Sequence, residues 1–342
     1  MMKNIIKNLK ESNKINRNFY SFNPKGYWSN LNKDENKNFI QDIKKIGTKR
    51  AVKNLRKDFL YDVIFSKKRG RGINLLNLKG NEIAVDFGCM WGALTIPLAK
   101  KVKEVLAIDQ TINSLFFLFQ RAKENKLKNI SLLQENLRKI NLKKSSIDIA
   151  IVNGVLEWIG ETNQVVVDKY LNRREKKKND YSNPGEIQKK FLKKIFNSLK
   201  ENGQLYLAIE NRYDYKMFFG LKDPHNGTLF TTILPKSFSN IISLIFKGKP
   251  YKTWIYSYSE LNKILTECGF KSLKFYSAWP DYRIPDQILD YNLNFDKFKT
   301  CTNLPLKKIT IRKKIAGIIE LIIFKFLGIK QLSPSIIVIA KK

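Results

Sequence analysis

One histidine, three cysteines and only 30 acidic residues against 64 basic ones leave this chain of 342 residues short of several common chemistries. The cysteines, Cys89, Cys268 and Cys301, are too few, and odd in number, for a disulfide framework, and they point to a reducing compartment. The opening Met-Met-Lys-Asn-Ile-Ile-Lys-Asn has no apolar run of the kind a secretory signal needs. The most apolar late stretch, residues 316–329, is broken by Glu320 and Lys325 and is too short to cross a bilayer. A cytoplasmic location and no transmembrane segment follow as expectations. The dinucleotide fingerprint Gly-x-Gly-x-x-Gly is absent, and no Gly-Lys-Ser/Thr marks a phosphate loop. No internal repeat is visible, and no metal is expected.

The shortage of acidic residues leaves a net charge of +34, which invites a nucleic-acid reading because phosphate neutralisation drives such binding. Only 12 of the 64 basic residues are arginine, however, and nucleic-acid interfaces favour arginine for its planar fork. Lysine, asparagine and isoleucine are all plentiful and all have AT-rich codons, so compositional drift explains the charge at least as well. A nucleic-acid partner is an alternative and is not favoured. A basic face could still attract an anionic acceptor or a membrane surface. The basic run at 172–179 reads as a solvated loop.

What is present is a chain of strands that end in polar residues. Ile83 to Val85 runs into Asp86, then a Gly88–Gly92 turn, then a helix over 93–100. Glycines at such a turn let the backbone approach a ligand where a Cβ would clash. A second strand, Glu104 to Ile108, ends in Asp109, 23 positions after Asp86, where βαβ units place a carboxylate on ribose hydroxyls. Asn129 to Leu133 leads into Glu135 and Asn136, either able to accept from an exocyclic amine, and Ile147 to Val152 leads into Asn153-Gly154 and Glu157. A helix over 186–199, stopped by Asn202-Gly203, precedes a fifth strand, Gln204 to Ile209, ending in Glu210. Lys271 to Tyr276 and Ser335 to Ala340 complete the set.

The stretch Asp86-Phe87-Gly88-Cys89-Met90-Trp91-Gly92 resembles the first motif of class I S-adenosylmethionine-dependent methyltransferases, Asp/Glu-x-Gly-x-Gly-x-Gly, with Met90 in place of the middle glycine. The resemblance extends over residues 82–160. It implies an α/β fold, a seven-stranded Rossmann-like sheet whose last strand is antiparallel. It also implies S-adenosyl-L-methionine as cofactor, held by Asp86, Gly88, Gly92, Asp109, Asn136 and the Asn153-Gly154 backbone. A helical N-terminal segment or cap is expected over 1–75 and the methyltransferase domain over 76–342, with acceptor-pocket insertions at about 211–256 and 277–332. The first segment carries the aromatics Phe19, Tyr20, Phe22, Tyr27 and Trp28; Tyr27-Trp28 and Phe59-Leu60-Tyr61 are candidates to anchor it on the domain or cover the cofactor, with plain packing the favoured alternative.

The acceptor is expected beyond the carboxyl ends of the strands. His225, beside Asp223 in a loop marked by Pro224 and Gly227, is a candidate base for deprotonating a hydroxyl, and a structural histidine is the alternative. Glu157 is the second candidate catalytic residue, or else a helix-start carboxylate. Glu210, Asn211 and Arg212, with Asp281 and Arg283, are candidate substrate ligands, although the last two would also make an ordinary salt-bridged loop. Residues 210–213, 222–227 and 280–285 resemble methyltransferases associated with bacterial surface-polysaccharide clusters. That resemblance implies O-methylation of a sugar or sugar-phosphate, a small-molecule or glycan acceptor.

The chain lacks the Asn/Asp-Pro-Pro-Tyr/Phe of exocyclic-amine enzymes and the Pro-Cys of cytosine C5 enzymes, which lowers the RNA methyltransferase alternative. A non-catalytic scaffold with Met90 closing the pocket is the third reading. The amphipathic stretch Ile318 to Ile329 is expected to pack on the sheet, with peripheral membrane contact as its alternative.

Overall fold

The computed structural model describes residues 5–7, 13–16, 19–21, 33–161, 182–293, 298–300 and 311–342. Phe22, Tyr27, Trp28, the basic run at 172–179 and Cys301 lie outside them. The strands are β1 (Asn13–Asn16), β2 (Phe19–Ser21), β3 (Ile83–Phe87), β4 (Glu104–Asp109), β5 (Ile130–Gln134), β6 (Ile147–Asn153), β7 (Leu199–Glu210), β8 (Ser272–Trp279), β9 (Gln287–Asp290) and β10 (Ser335–Lys341). They form one sheet in the order β1-β2-β5-β4-β3-β6-β7-β10-β8-β9.

All seven expected strands are in the sheet, with β10 antiparallel between β7 and β8. The count of seven needs correction to ten. The N-terminal segment is not wholly helical, since β1 and β2 form a hairpin whose second strand runs parallel along the outer edge of β5. At the other end β9 lies antiparallel to β8. Each addition covers an edge that would otherwise present unpaired backbone groups. These strands have three or four residues and no alternating pattern, so nothing in the sequence announced them. The helix before β7 stops at Ser198, and Asn202-Gly203 lies inside β7, where the pairing with β6 shifts register.

Helices in chain order are α1 (Lys33–Ile46), α2 (Thr48–Asn54), α3 (Asp58–Phe65), α4 (Thr95–Ala99), α5 (Ile112–Glu124), α6 (Leu156–Ile159), α7 (Pro184–Ser198), α8 (Tyr215–Phe218), α9 (Lys236–Lys247), α10 (Tyr258–Glu267) and α11 (Ile311–Glu320). The central strands are buried on both faces and accordingly read as continuous apolar runs. Separate apolar clusters fill the two faces, one around Phe87, Phe191 and Leu207, the other around Leu98, Leu115 and Tyr206. A third cluster seats the N-terminal helices on the glycine turn, where Phe39, Trp91 and Phe117 stack with centroids 5.2 Å and 4.6 Å apart along the series.

Because β3, β4, β6 and β7 are mutually parallel, Asp86, Asp109, Asn153 and Glu210 all come to one edge of the sheet. Strand order reverses between β3 and β6, and open α/β sheets bind ligands in the crevice at such a switch point.

Candidate active site

The glycine turn is shaped by backbone angles that side chains resist. Gly88 has φ +72, and a Cβ there would meet Val155 Cγ2 at 2.5 Å; Gly92 has φ +75, and a Cβ there would meet Leu118 Cδ1 at 2.2 Å. Met90 also sits at positive φ, +46, which is the physical reason that a glycine suits this position. Its N–H donates to Asp109 Oδ2 at 2.9 Å, while Thr111 N–H donates to Oδ1 at 2.8 Å. Burial raises the Asp109 pKa and these donors oppose the rise. Asp86 is buried, and burial pushes its pKa up to about 6 against a 2.6 Å hydrogen bond from the Thr95 hydroxyl.

Asn136 accepts from the Arg138 N–H at 2.9 Å, within the turn after β5. Asn153, at the end of β6, is 9 % exposed, and neither atom of its amide finds a hydrogen-bond partner among the described residues. Gly154 follows at φ +67, with the Tyr282 hydroxyl 2.3 Å from where a Cβ would stand.

A second cluster lies at the ends of β6 and β7. Glu157, in α6, is 1 % exposed, and both its carboxylate oxygens are buried without a partner. His225 Nε2 lies 3.8 Å from Glu157 Oε1 and 3.7 Å from Glu210 Oε2. On its other side His225 Nδ1 is 3.5 Å from Asp223 Oδ1, the outer limit of a hydrogen bond, so this contact is chiefly electrostatic. Asp223 is well fixed, accepting from the His225 and Asn226 N–H groups and from the Tyr251 hydroxyl. Trp158 meets the imidazole edge to face at 5.1 Å.

The charges in this cluster displace protons. Burial raises the Glu157 pKa to about 8, reinforced by Glu210 and opposed by His225. Burial alone would lower the His225 pKa, but Asp223, Glu210 and Glu157 outweigh it and raise it to about 9. The imidazole is therefore a cation at neutral pH. One donor atom each from Glu157, Glu210 and His225 lies within 4.8 Å of the others, close enough to converge on one small group.

The remaining sequence candidates divide. Glu210 accepts from the Tyr282 hydroxyl at 3.2 Å and keeps Oε2 without a partner. Arg283 pairs with Asp281 at 3.0 Å, and its charge reaches Glu157 and Glu210. Asn211 and Arg212 turn away: Asn211 donates to the Gln331 and Ser333 carbonyls, and Arg212 to those of Thr232 and Leu234 and to Glu260. Both fasten segments together and do not share the cluster, since the strand ends at Glu210 and the chain turns after it.

Two residues escaped the sequence reading. Tyr282 bridges Gly154 and Glu210. Arg69 lies 5.6 Å over the Tyr282 ring and acts electrostatically on Asp86, and its buried Nε and Nη1 have no partner among the described residues. Arg69 looked like part of an ordinary surface run, Lys67-Lys68-Arg69-Gly70-Arg71, with no spacing to mark it.

Residues 78–228 match a family described as a methyltransferase domain. The chain is 34 % identical over 95 residues to ribosomal RNA small subunit methyltransferase A of Wigglesworthia glossinidia brevipalpis, covering 28 % of this chain and 34 % of that one. It is 31 % identical over 90 residues to a probable cobalt-precorrin-6B C(15)-methyltransferase of Methanothermobacter thermautotrophicus, covering 26 % and 47 %. The chain thus spans about a third to a half of the curated relatives it matches. Phosphoethanolamine N-methyltransferase 2 of Haemonchus contortus is similar in structure, with TM-score 0.47, 13 % identity, and coverage of 89 % of this chain and 60 % of that one.

Residues 78–228 are thus similar to a methyltransferase domain, whose cofactor is S-adenosyl-L-methionine. The residues present fit that group: acidic side chains end β3 and β4, and Asn153 and Arg69 hold unpartnered polar atoms at the same edge.

Proposed function

We propose that the protein transfers a methyl group to a hydroxyl of a small polar acceptor, such as a sugar or sugar-phosphate. The observation that carries this reading is the buried cluster of Glu157, Glu210 and His225, in which both oxygens of Glu157 and Oε2 of Glu210 lack hydrogen-bond partners. Unsatisfied buried polar groups are expensive unless a ligand completes them.

When bound, the cofactor supplies an electrophilic methyl on a sulfonium centre. Asp109 would accept from ribose hydroxyls, Asn136 or Glu135 from the adenine amine, and Arg69 would meet the methionine carboxylate as a paired donor. Glu157 and Glu210 would orient the acceptor hydroxyl in line, which supplies much of the rate in a displacement of this kind. The cofactor would supply the methyl that the acceptor oxygen takes, and the hydroxyl proton would pass to the imidazole of His225, aligned by Asp223. Since His225 holds a proton below about pH 9, turnover should climb as pH rises towards that value.

RNA methylation, suggested by the ribosomal relative, is the weaker reading, because the chain lacks the Asn/Asp-Pro-Pro-Tyr/Phe and Pro-Cys motifs of such enzymes. The sugar acceptor and a surface-polysaccharide setting rest on the resemblance of residues 210–213, 222–227 and 280–285, which the comparisons do not extend. Calorimetry with S-adenosylmethionine and S-adenosylhomocysteine, followed by methyl-label transfer to sugars, then amines, then RNA, tests the proposal. Micromolar cofactor binding with transfer to a sugar hydroxyl is expected. No binding of either ligand would favour a scaffold whose pocket Met90 has closed, and label on RNA alone would overturn the sugar reading.

A further inference from the structure

Helix α9 is amphipathic the wrong way round for a soluble protein. Its buried residues are Ser239 and Ser243, whose hydroxyls donate to the Thr231 and Lys249 carbonyls. Phe238, Ile241 and Ile245, spaced to share one face, are 59 %, 52 % and 71 % exposed, and Phe246 is 72 % exposed. A surface helix ordinarily turns its apolar stripe to the core.

The same inversion recurs where α11 runs into the π-helix Leu321–Phe326. Phe324 and Glu320 face inward, Glu320 accepting from the Tyr215 hydroxyl at 2.6 Å, while Ile318, Ile322 and Phe326 lie exposed. The two regions are joined through the loop after β7. Tyr215 begins α8, which ends in exposed Phe218, and Asn226 donates to Ser243 of α9 at 3.2 Å.

The charge around these residues has one sign. Segments 211–256 and 311–334 contain three carboxylates, Asp214, Asp223 and Glu320, and all three are buried. Lys222, Lys247, Lys249, Lys314 and Lys325 on the same segments are exposed. Exposed apolar side chains gathered on helix faces in this way mark an interaction surface. Phenylalanine and isoleucine flanked by lysine, with no exposed carboxylate on those segments, suit a lipid boundary bearing anionic headgroups. No helix among the described residues is long and apolar enough to cross a membrane, so the contact is with its surface.

We propose that α9 and the α11 region dock this protein on an anionic lipid bilayer. The loop Asp223–Gly227, which carries His225, lies between α8 and α9, so docking would bring the acceptor cluster to the headgroup region. This inference rests on exposure and charge, and it stands whether or not the acceptor is a sugar.

The test is sedimentation of the full chain with vesicles of equal parts phosphatidylcholine and phosphatidylglycerol, and with phosphatidylcholine alone. Each protein lysine near such a surface contributes about fivefold in binding, so several should favour the anionic vesicles by tenfold or more, with loss at high salt. The double substitution Ile245→Ser and Phe246→Ser should reduce binding about tenfold or more while leaving the melting temperature and cofactor affinity unchanged. Equal sedimentation of this variant, or no preference for anionic vesicles, would overturn the proposal. So would a wild-type dimer in light scattering that the same two substitutions dissolve in the absence of vesicle binding, which would assign the face to a second copy of the chain.

Discussion

The two halves of the site differ in how completely they are built. At the ends of β3 and β4 the carboxylates are already engaged: Thr95 holds Asp86, and the N–H groups of Met90 and Thr111 hold Asp109. At the ends of β6 and β7 both oxygens of Glu157 and Oε2 of Glu210 lack hydrogen-bond partners. The first half is a preformed cradle assembled from residues close in sequence. The second gathers charged groups from α6, β7 and the Asp223–Gly227 loop, and it holds them in mutual tension.

Breaking the acceptor half should have the largest effect. His225→Ala is expected to lower turnover by about 10²–10⁴-fold while leaving cofactor affinity unchanged, as removal of a general base does. Turnover assays beside calorimetry check both parts, and unaltered turnover would end the base assignment. On the cofactor half, Asp109→Ala should weaken S-adenosylmethionine by roughly a hundredfold, since two charge-assisted hydrogen bonds are lost. Arg69→Lys should weaken it by about tenfold, because an ammonium cannot reproduce a bidentate fork.

Titration separates the halves more finely. His225 has its pKa raised from 6.5 to about 9, so its contribution to stability is whole below 6.5 and is lost as pH rises through about 9. Glu157, raised from 4.5 to about 8, acts in the same direction over 4.5 to 8. The melting temperature should therefore fall on the alkaline side. Glu157→Gln should remove part of that fall and yet reduce turnover, measured by thermal melts and assays across the pH range. A variant that melts with the wild-type pH dependence would show that Glu157 does not hold the raised proton. The smallest effect belongs to Met90→Gly. Relief of its left-handed strain, about 1 kcal/mol, opposes the loss of its packing on the N-terminal helices, so denaturation should shift by no more than about 1 kcal/mol.

The strands β3 to β7 were legible because buried parallel strands must be continuous apolar runs and because a polar residue stands at or beside the end of each. Asp86, Asp109, Asn153 and Glu210 could be placed on one edge from strand order alone. The short strands β1, β2 and β9 were not legible, since three or four residues carry no period. The anchoring role of Leu60 and Tyr61 was open to the sequence, and both pack against the cluster around Trp91, while Phe59 instead lies exposed beneath Arg283. The stretch Ile318 to Ile329 was expected to pack on the sheet; only part of it does so, through Ile319, Ile323 and Phe324.

By itself the sequence determined the fold class, the cofactor turn and the candidacy of Glu157, Glu210 and His225, because motif spacing and apolar periodicity are local properties of a chain. Only the tertiary structure decided that these three side chains meet, that Asn211 and Arg212 do not join them, that Tyr282 reaches Glu210 with Arg69 over its ring, and that α9 faces outward. Those outcomes depend on contacts between residues tens to hundreds of positions apart, and on buried charges whose proton occupancy follows from how close the fold brings them.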